Sequence, residues 1–480
     1  MSLGNKIFGG MVWSAVERIS IQGVQFVLGI ILARILTPEE YGIIGILIVF
    51  IVVSQVFIDS GFTKALIQKQ DRTKEDISTV FWFNILISTL AYTILFFFAP
   101  LIADLYDIPL LSDLLRVLAI SLIINALFTV PSTLYTIELD FKTLTKINFA
   151  ATIISGGIAI AMAYSGYGVW SLVAQTLVRS IATALLIWIQ SKWKPSFIFS
   201  KKSFKELFSF GYRLLVSSLL SKIVNNFAAL FIAKYNTADL GYYTRGTQFS
   251  DVLFSTFNSV LERILLPGLA KVQDQKEVLI KHTKSILMAS SLLIFPLFFF
   301  LAAIAEPLIR VLLTEKWMMA VPIMQIFCIA RLITIPCGIN VNLLYVIGRT
   351  DLELKQQYLK IIVRVILLLL ALKHGIIYIA LAELAATTIH FFINSYYPGK
   401  IMQYGAFSQI KDMSPIILSS LIMVVPVYAI VHFISNDILV LCITPFVALV
   451  IYLGLIRLFK VQVFDELIDR VKGFFKTPKP

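Results

Sequence analysis

Residues 78–100 read STVFWFNILISTLAYTILFFFAP, a run of 23 residues without a charged side chain. As an α-helix rising 1.5 Å per residue, it covers about 35 Å, enough to cross roughly 30 Å of hydrocarbon. It has no strict alternation of apolar and polar positions, which excludes a strand of a membrane β-barrel. Outward from this stretch the pattern recurs. Apolar runs occupy 11–33, 41–58, 114–133, 147–164, 169–190 and 214–233, then 247–266, 285–305, 320–346, 359–373, 376–397, 414–434 and 437–457. Together they predict an all-α polytopic membrane protein of about 14 transmembrane helices. The run at 359–373 is the most interrupted, because Arg364 lies inside it. Composition agrees: 58% of the 480 residues are hydrophobic and 14% are charged, where a soluble domain carries about 25% charged residues.

The net charge of +13 could indicate nucleic acid in a soluble protein. In a membrane protein it follows instead from Lys and Arg collecting in cytoplasmic loops, so no nucleic-acid partner is expected. With the N-terminus in the cytoplasm, 29 of the 41 basic residues fall on that side and seven on the other. Five fall inside spans: Arg18, Arg179, Lys222, Arg331 and Arg364. The loop-by-loop alternation predicts an even span count with both termini inside. No cleavable signal peptide is expected, since the first apolar run contains Glu17 and Arg18 and lacks a small-residue cleavage site. Cys328, Cys337 and Cys442 lie in apolar stretches and suggest neither a disulfide framework nor a thiolate metal site.

An internal repeat organises the chain. Ala33-Arg34-Ile35-Leu36-Thr37-Pro38-Glu39 matches Ala233-Lys234-Tyr235-Asn236-Thr237-Ala238-Asp239 at an offset of 200. Each segment follows an apolar helix and runs into a Tyr/Gly pair, Tyr41-Gly42 and Gly241-Tyr242. The offset covers six spans, so the halves share one orientation and relate by an axis along the membrane normal. This predicts an N-lobe at 1–190, a basic cytoplasmic linker at 191–213 and a C-lobe at 214–397. A terminal helix pair at 414–457 and a tail at 458–480 complete it. In the tail, Val461, Phe464, Leu467, Ile468, Val471 and Phe475 recur every three to four residues beside Lys and Arg, the pattern of an amphipathic helix on the inner leaflet.

Polar residues form stripes on the repeat-related spans. In the first, Ser14, Arg18, Gln22 and Gln25 share a helix face; in the seventh, Ser218, Ser221, Lys222 and Asn225 do the same. The eighth carries Gln248, Asp251, Ser255, Asn258 and Glu262, and the second a fainter version in Ser54, Gln55 and Asp59. An ionised side chain facing lipid costs on the order of 3 kcal/mol even on insertion scales, so these faces are expected to meet protein or water. Interhelical hydrogen bonding explains isolated groups such as Asn125 and His390. Paired stripes suggest a shared water-filled cavity. Lys222 and Arg18 stand out as cations that need an anion, either Asp251 and Glu17 or a substrate phosphate. Arg179, Arg331 and Arg364 are secondary candidates, fitting a cavity and structural pairing between helices equally. Glu17, Asp251 and Glu383 are candidates for coupling to a proton or cation, with helix pairing as the alternative role of Glu383.

Some chemistries find no support. The chain has no GxxxxGK[ST] loop for ATP and no HExxH pair. Its four histidines, His282, His374, His390 and His432, are scattered. The extracytoplasmic loops are too short for the catalytic segments of membrane glycosyltransferases. No enzyme activity, metal or organic cofactor is expected.

The stretch Leu32-Ala33-Arg34-Ile35-Leu36-Thr37-Pro38-Glu39-Glu40-Tyr41-Gly42 resembles the turn after the first helix of bacterial polysaccharide flippases. Gly61-Phe62-Thr63-Lys64-Ala65-Leu66-Ile67-Gln68 resembles their second-loop signature, and Leu265-Leu266-Pro267-Gly268-Leu269-Ala270-Lys271 their segment after the eighth span. The chain as a whole is similar to the Wzx-type polysaccharide transporter branch of the multidrug/oligosaccharidyl-lipid/polysaccharide (MOP) exporter superfamily. The resemblance implies a two-lobed, MATE-like transporter of the bacterial inner membrane working by alternating access. It implies an undecaprenyl-diphosphate-linked oligosaccharide as substrate, moved to the periplasmic leaflet for O-antigen or other surface polysaccharide assembly. A polysaccharide polymerase or export machinery would then be a partner. Arg18, Gln22, Gln25, Lys222, Asn225 and Asn258 would line the cavity, the cations on the diphosphate and the amides on sugar hydroxyls. A multidrug or lipid II exporter of the same fold, or a membrane polymerase, are the alternatives.

Overall fold

The computed structural model describes residues 3–59, 61–69, 71–270, 272–466 and 469. Among these residues the chain is helical without a strand, as hydrocarbon requires of a backbone that must satisfy its own hydrogen bonds. The helices are α1 (Leu3–Ile35), α2 (Pro38–Asp59), α3 (Phe62–Gln68), α4 (Lys74–Tyr106), α5 (Leu110–Ile137), α6 (Phe141–Tyr164), α7 (Trp170–Gln190) and α8 (Lys201–Tyr235). There follow α9 (Thr237–Ala270), α10 (Lys276–Ala303), α11 (Ala305–Leu313), α12 (Ala320–Val346), α13 (Thr350–Ala371), α14 (Ile376–Met402), α15 (Ala406–Phe433) and α16 (Asp437–Leu458).

Ten of the described helices are long and apolar enough to cross a membrane: α2, α4 to α7, α10, α12 and α14 to α16. The other four expected spans fall on α1, α8, α9 and α13. Within α1, Ser20–Ile35 is a shorter apolar stretch, and α13 carries Arg364 together with Lys355 and Lys360. The chain is a multi-pass membrane protein of the all-α class.

The chain divides into two compact units, Met1–Gly241 and Tyr242–Pro480. In the first, α4 packs on α5, α6 on α7 and α1 on α6, while α8 lies against α2, α3 and α4. In the second, α12 packs on α14, α10 on α15 and α12, α13 on α14, and α15 on α16.

The flippase-like motifs are built from folding chemistry. Thr37 and Glu40 form a capping box that starts α2: Thr37 N–H donates to Glu40 Oε2 at 2.7 Å and Glu40 N–H to Thr37 Oγ1 at 3.3 Å. Pro38 sits at the first helical position, where its missing N–H costs nothing. Gly61 precedes α3 at φ +74, a left-handed backbone that favours glycine. Phe62, fully buried, stacks on Phe204 of α8 at 5.6 Å, and Ala65 and Leu66 are buried beside it. The ammonium of Lys69, just after α3, contacts Asp76 of α4 at 3.0 Å and Glu206 of α8 at 3.1 Å. Hydrogen bonding to Asp76 holds it above the usual lysine range.

The linker is anchored along its length. Trp82 Nε1 donates to the Ser196 carbonyl at 2.8 Å, Ser200 N–H donates to Thr79 Oγ1 at 3.0 Å, and Phe197 stacks on Trp82 at 5.1 Å. At the far end of α8, Tyr106 OH donates to the Leu230 carbonyl at 3.2 Å, and Lys234 pairs with Asp107 at 3.4 Å. Of the tail, Val461 is buried and 462–466 are helical, while Leu467, Ile468, Val471 and Phe475 lie outside the described residues.

The repeat appears as a reciprocal contact within the first unit. Asn236 caps α9, accepting from the Ala238 and Asp239 N–H groups at 2.9 and 3.4 Å, as Thr37 caps α2. Gly42 and Gly241 each face the opposite helix start. A Cβ on Gly42 would lie 1.8 Å from the Thr237 carbonyl oxygen, and one on Gly241 1.9 Å from that of Pro38. Cap matches cap (37 with 236) and glycine matches glycine (42 with 241), so the structural offset is 199 residues. It is one less than the residue-by-residue match predicts.

Gly42→Ala should lower the thermal midpoint of purified protein by an amount corresponding to about 1–3 kcal/mol, because a carbonyl cannot rotate away as a side chain can. Gly157 on α6 has nothing within 4 Å of its Cβ position. Gly157→Ala should therefore leave the midpoint unchanged or raise it, and equal losses in both variants would show that the close approach has no energetic role.

Candidate functional site

Among the described residues, the cations predicted for the site separate into those without a carboxylate and those with one. In the first unit, Gln25 of α1 faces the guanidinium of Arg179 on α7. With its amide oxygen turned toward it, as the donors there require, Gln25 accepts from Arg179 Nη1. Arg179 is half-buried and has no ion-pair partner among the described residues. Lys222 is exposed on α8, likewise without an ion pair among the described residues. Its carbonyl accepts from Asn226 Nδ2 at 2.8 Å. Asn225 is exposed on the same helix and Gln22 is half-buried on α1. The side chains of Glu17 and Arg18 lie outside the described residues.

In the second unit the charges are matched. Arg331 on α12 grips Asp251 on α9, its Nη2 at 2.6 Å and Nε at 2.7 Å from Oδ1. The guanidinium also lies over the rings of Phe254 and Phe327, 5.1 and 5.6 Å from their centroids, which adds cation–π attraction. Tyr243 meets Phe327 edge-on at 5.5 Å. Arg364 on α13 holds Glu383 on α14, with Nη2 at 2.9 Å and Nε at 3.0 Å from Oε1. In both pairs two guanidinium nitrogens converge on one carboxylate oxygen of another helix, through charge-assisted hydrogen bonds. Asp251 is taken by Arg331, whose planar donors fit a carboxylate better than a lysine point charge does.

The rest of the stripes is partly engaged. Arg245 Nη1 donates to Gln248, and Ser255 Oγ donates to the Val252 carbonyl at 3.1 Å. Asn258 is half-buried and faces α12, its Oδ1 3.9 Å from a Cβ built on Gly338. Asn125 Nδ2 donates to Gln55 at 3.3 Å, and His390 Nε2 contacts the Lys360 carbonyl at 3.0 Å, the bonding role expected for isolated polar groups. Sequence reasoning missed the aromatic faces of Phe254 and Phe327 and the doubly bonded pair of Asn340 with Gln409, at 2.8 and 2.9 Å. A signal for the first existed in Phe327, one helical turn before Arg331.

A family model described as "polysaccharide biosynthesis protein" matches residues 31–322. The chain belongs to this family. Among curated members of similar sequence, the teichuronic acid biosynthesis protein TuaB of Bacillus subtilis (strain 168) is 28% identical over 355 residues, covering 73% of each chain. The succinoglycan biosynthesis transport protein ExoT of Rhizobium meliloti (strain 1021) is 26% identical over 70% of this chain and 68% of its own. The lipopolysaccharide biosynthesis protein WzxC of Escherichia coli (strain K12) is 24% identical over 75% and 74%. Among solved structures, the lipid II flippase MurJ in an inward closed conformation matches with TM-score 0.75 at 17% identity, covering 96% of this chain and all of that one. An inward-facing MATE family transporter of the MOP superfamily matches with TM-score 0.58 at 16% identity, covering 82% of this chain and all of its own. The chain thus shares the fold of these solved structures.

Removing one member of the Arg364–Glu383 pair takes away the charge-assisted bonds that join α13 to α14. Glu383→Ala should destabilise the protein by about 3 kcal/mol, read as a lower thermal midpoint in detergent. The double variant Arg364→Met/Glu383→Leu should recover most of that loss. Additive losses would mean the two side chains are not coupled.

Proposed function

We propose that this chain is a secondary-active flippase that carries an undecaprenyl-diphosphate-linked oligosaccharide from the cytoplasmic to the periplasmic leaflet of a bacterial inner membrane. In this reading its lobes, 1–190 and 214–397, joined by 191–213, alternate access. The terminal pair at 414–457 flanks them, and both termini lie in the cytoplasm. The observation that carries it is the pair of cations, Arg179 and Lys222, on membrane helices without a carboxylate among the described residues. A diphosphate supplies the missing anion, through charge-assisted hydrogen bonds worth about 1.5–3 kcal/mol each. Gln22, Gln25, Asn225 and Asn258 offer both donors and acceptors to sugar hydroxyls, with Arg18 as a further cation. Sugar and diphosphate cannot enter hydrocarbon unaided, whereas the polyprenyl tail stays in it, so a cavity need hold only the head. The relatives' roles in teichuronic acid, succinoglycan and lipopolysaccharide biosynthesis support a surface polysaccharide as the product, with a polymerase or export complex as partner.

In the same reading, transport is an antiport with protons or sodium. Asp251 and Glu383, and Glu17 with them, are the acids available for coupling. Arg331 and Arg364 would take part by releasing and regaining their carboxylates as the coupling cation binds and leaves.

Deletion of the gene should cause a complete lipid-linked repeat unit to accumulate, detected by mass spectrometry of extracted lipids and reversed by a plasmid copy. Lys222→Ala and Arg179→Ala should each lower complementation about 10- to 100-fold, with Lys222→Arg restoring part. An unchanged lipid-linked pool would favour a drug exporter of the same fold, accumulation of lipid II a lipid II exporter, and a truncated unit a membrane enzyme.

A further inference from the structure

The seam between α13 and α14 holds a cavity of about 440 Å³, with Lys355, Gln356, Leu359, Phe392, Tyr396 and Tyr397 on its wall. It lies at the ends of both helices that the basic loops assign to the cytoplasm. Lys355 is in the second turn of α13, and the tyrosines are less than two turns from the end of α14. The acids around Lys355 are occupied elsewhere: Asp351 pairs with Arg349 at 2.9 Å and Glu353 faces Lys360 at 3.9 Å. Lys355 itself is exposed and has no ion pair among the described residues. Gln356 is only 4% exposed; its Nε2 donates to the Ile393 carbonyl, and its Oε1 has no partner. Leu359, Phe392 and Tyr396 are exposed at 49%, 43% and 59%, and further along α13 the exposed Ile362 and Ile366 continue the apolar wall toward the membrane interior.

A free ammonium at the interface, two phenols beside it and a hydrocarbon wall leading away match one kind of molecule. We propose that this groove binds a resident anionic glycerophospholipid of the cytoplasmic leaflet, of the phosphatidylglycerol type. Its phosphate pairs with Lys355 and accepts from the tyrosine hydroxyls. One acyl chain lies along Leu359 and Phe392. Basic pockets between membrane helices on this side are suited to such headgroups, and tyrosines favour this depth. None of the lining residues belongs to the polar stripes. The inference needs the membrane fold and the side assignment of the proposed function, but not transport.

The test uses the full chain purified in detergent, with native mass spectrometry and thermal shift against phosphatidylglycerol, phosphatidylcholine, inorganic phosphate and undecaprenyl phosphate. Phosphatidylglycerol should stay bound and raise the midpoint, while phosphatidylcholine and free phosphate do neither. Lys355→Ala should weaken that binding about fivefold with lipid-linked export retained, and Lys355→Arg should restore it. An equal response to phosphatidylcholine, or an unchanged affinity in Lys355→Ala, would overturn the site. A shift with phosphate alone would reduce it to a simple anion site. Displacement by equimolar undecaprenyl phosphate would assign the groove to the transported lipid instead. Loss of export with lipid binding intact elsewhere in the variant series would bear on the flippase reading and leave the groove standing.

Discussion

A guanidinium, ammonium or carboxylate drawn into a bilayer loses its water, at a cost of several kcal/mol unless something replaces it. Most polar side chains along the described helices answer to that cost. Arg331 and Arg364 reach carboxylates on neighbouring helices, and Arg331 adds two aromatic faces. Asn340 and Gln409 exchange amide hydrogen bonds, and Asn125 reaches Gln55. Many serines and threonines fall back on carbonyls of their own helices, as Thr283 and Thr444 do. Against that background Arg179 stands apart, because the group facing it is a neutral amide. An amide orients a guanidinium without cancelling its charge, which leaves its attraction for an anion intact.

The helices were legible from the sequence because hydrocarbon admits little else, and every expected span falls on a long helix. The four whose hydropathy is weakest are those whose sequence also serves other ends: α1, α8 and α9 bear the stripes and α13 bears Arg364. The faces of the stripes could be read from spacing, but their partners could not. Asp251 and Arg331 are 80 residues apart, and nothing local in either segment points to the other. Arg364 and Glu383, 19 residues apart on successive helices, are nearer, yet the sequence suggested cavity and pairing equally. The repeat was visible from its residues, but its register was not. Residue-by-residue matching aligns Thr37 with Thr237, whereas the structure aligns by role and sets Thr37 against Asn236, since either side chain can cap a helix.

The motifs that carry the family resemblance owe their form to local stereochemistry. A capping box and a proline at the first position of α2, a left-handed glycine before α3 and a buried Phe62 all serve to place helices. None of them supplies an unmatched charge. The motifs specify a scaffold.

The contact of Gly42 with Thr237 and of Gly241 with Pro38 has the signature of an isologous interface, in which residue i meets j and the counterpart of j meets the counterpart of i. Two identical half-length chains related by a two-fold axis would make this contact twice with one sequence. Fusion into a single polypeptide removes the requirement that the two copies be the same. Each half could then diverge, one keeping Thr-Pro at its helix start and the other Asn-Thr. Each glycine is bounded by backbone, the carbonyls of Thr237 and Pro38, where no side-chain change can make room.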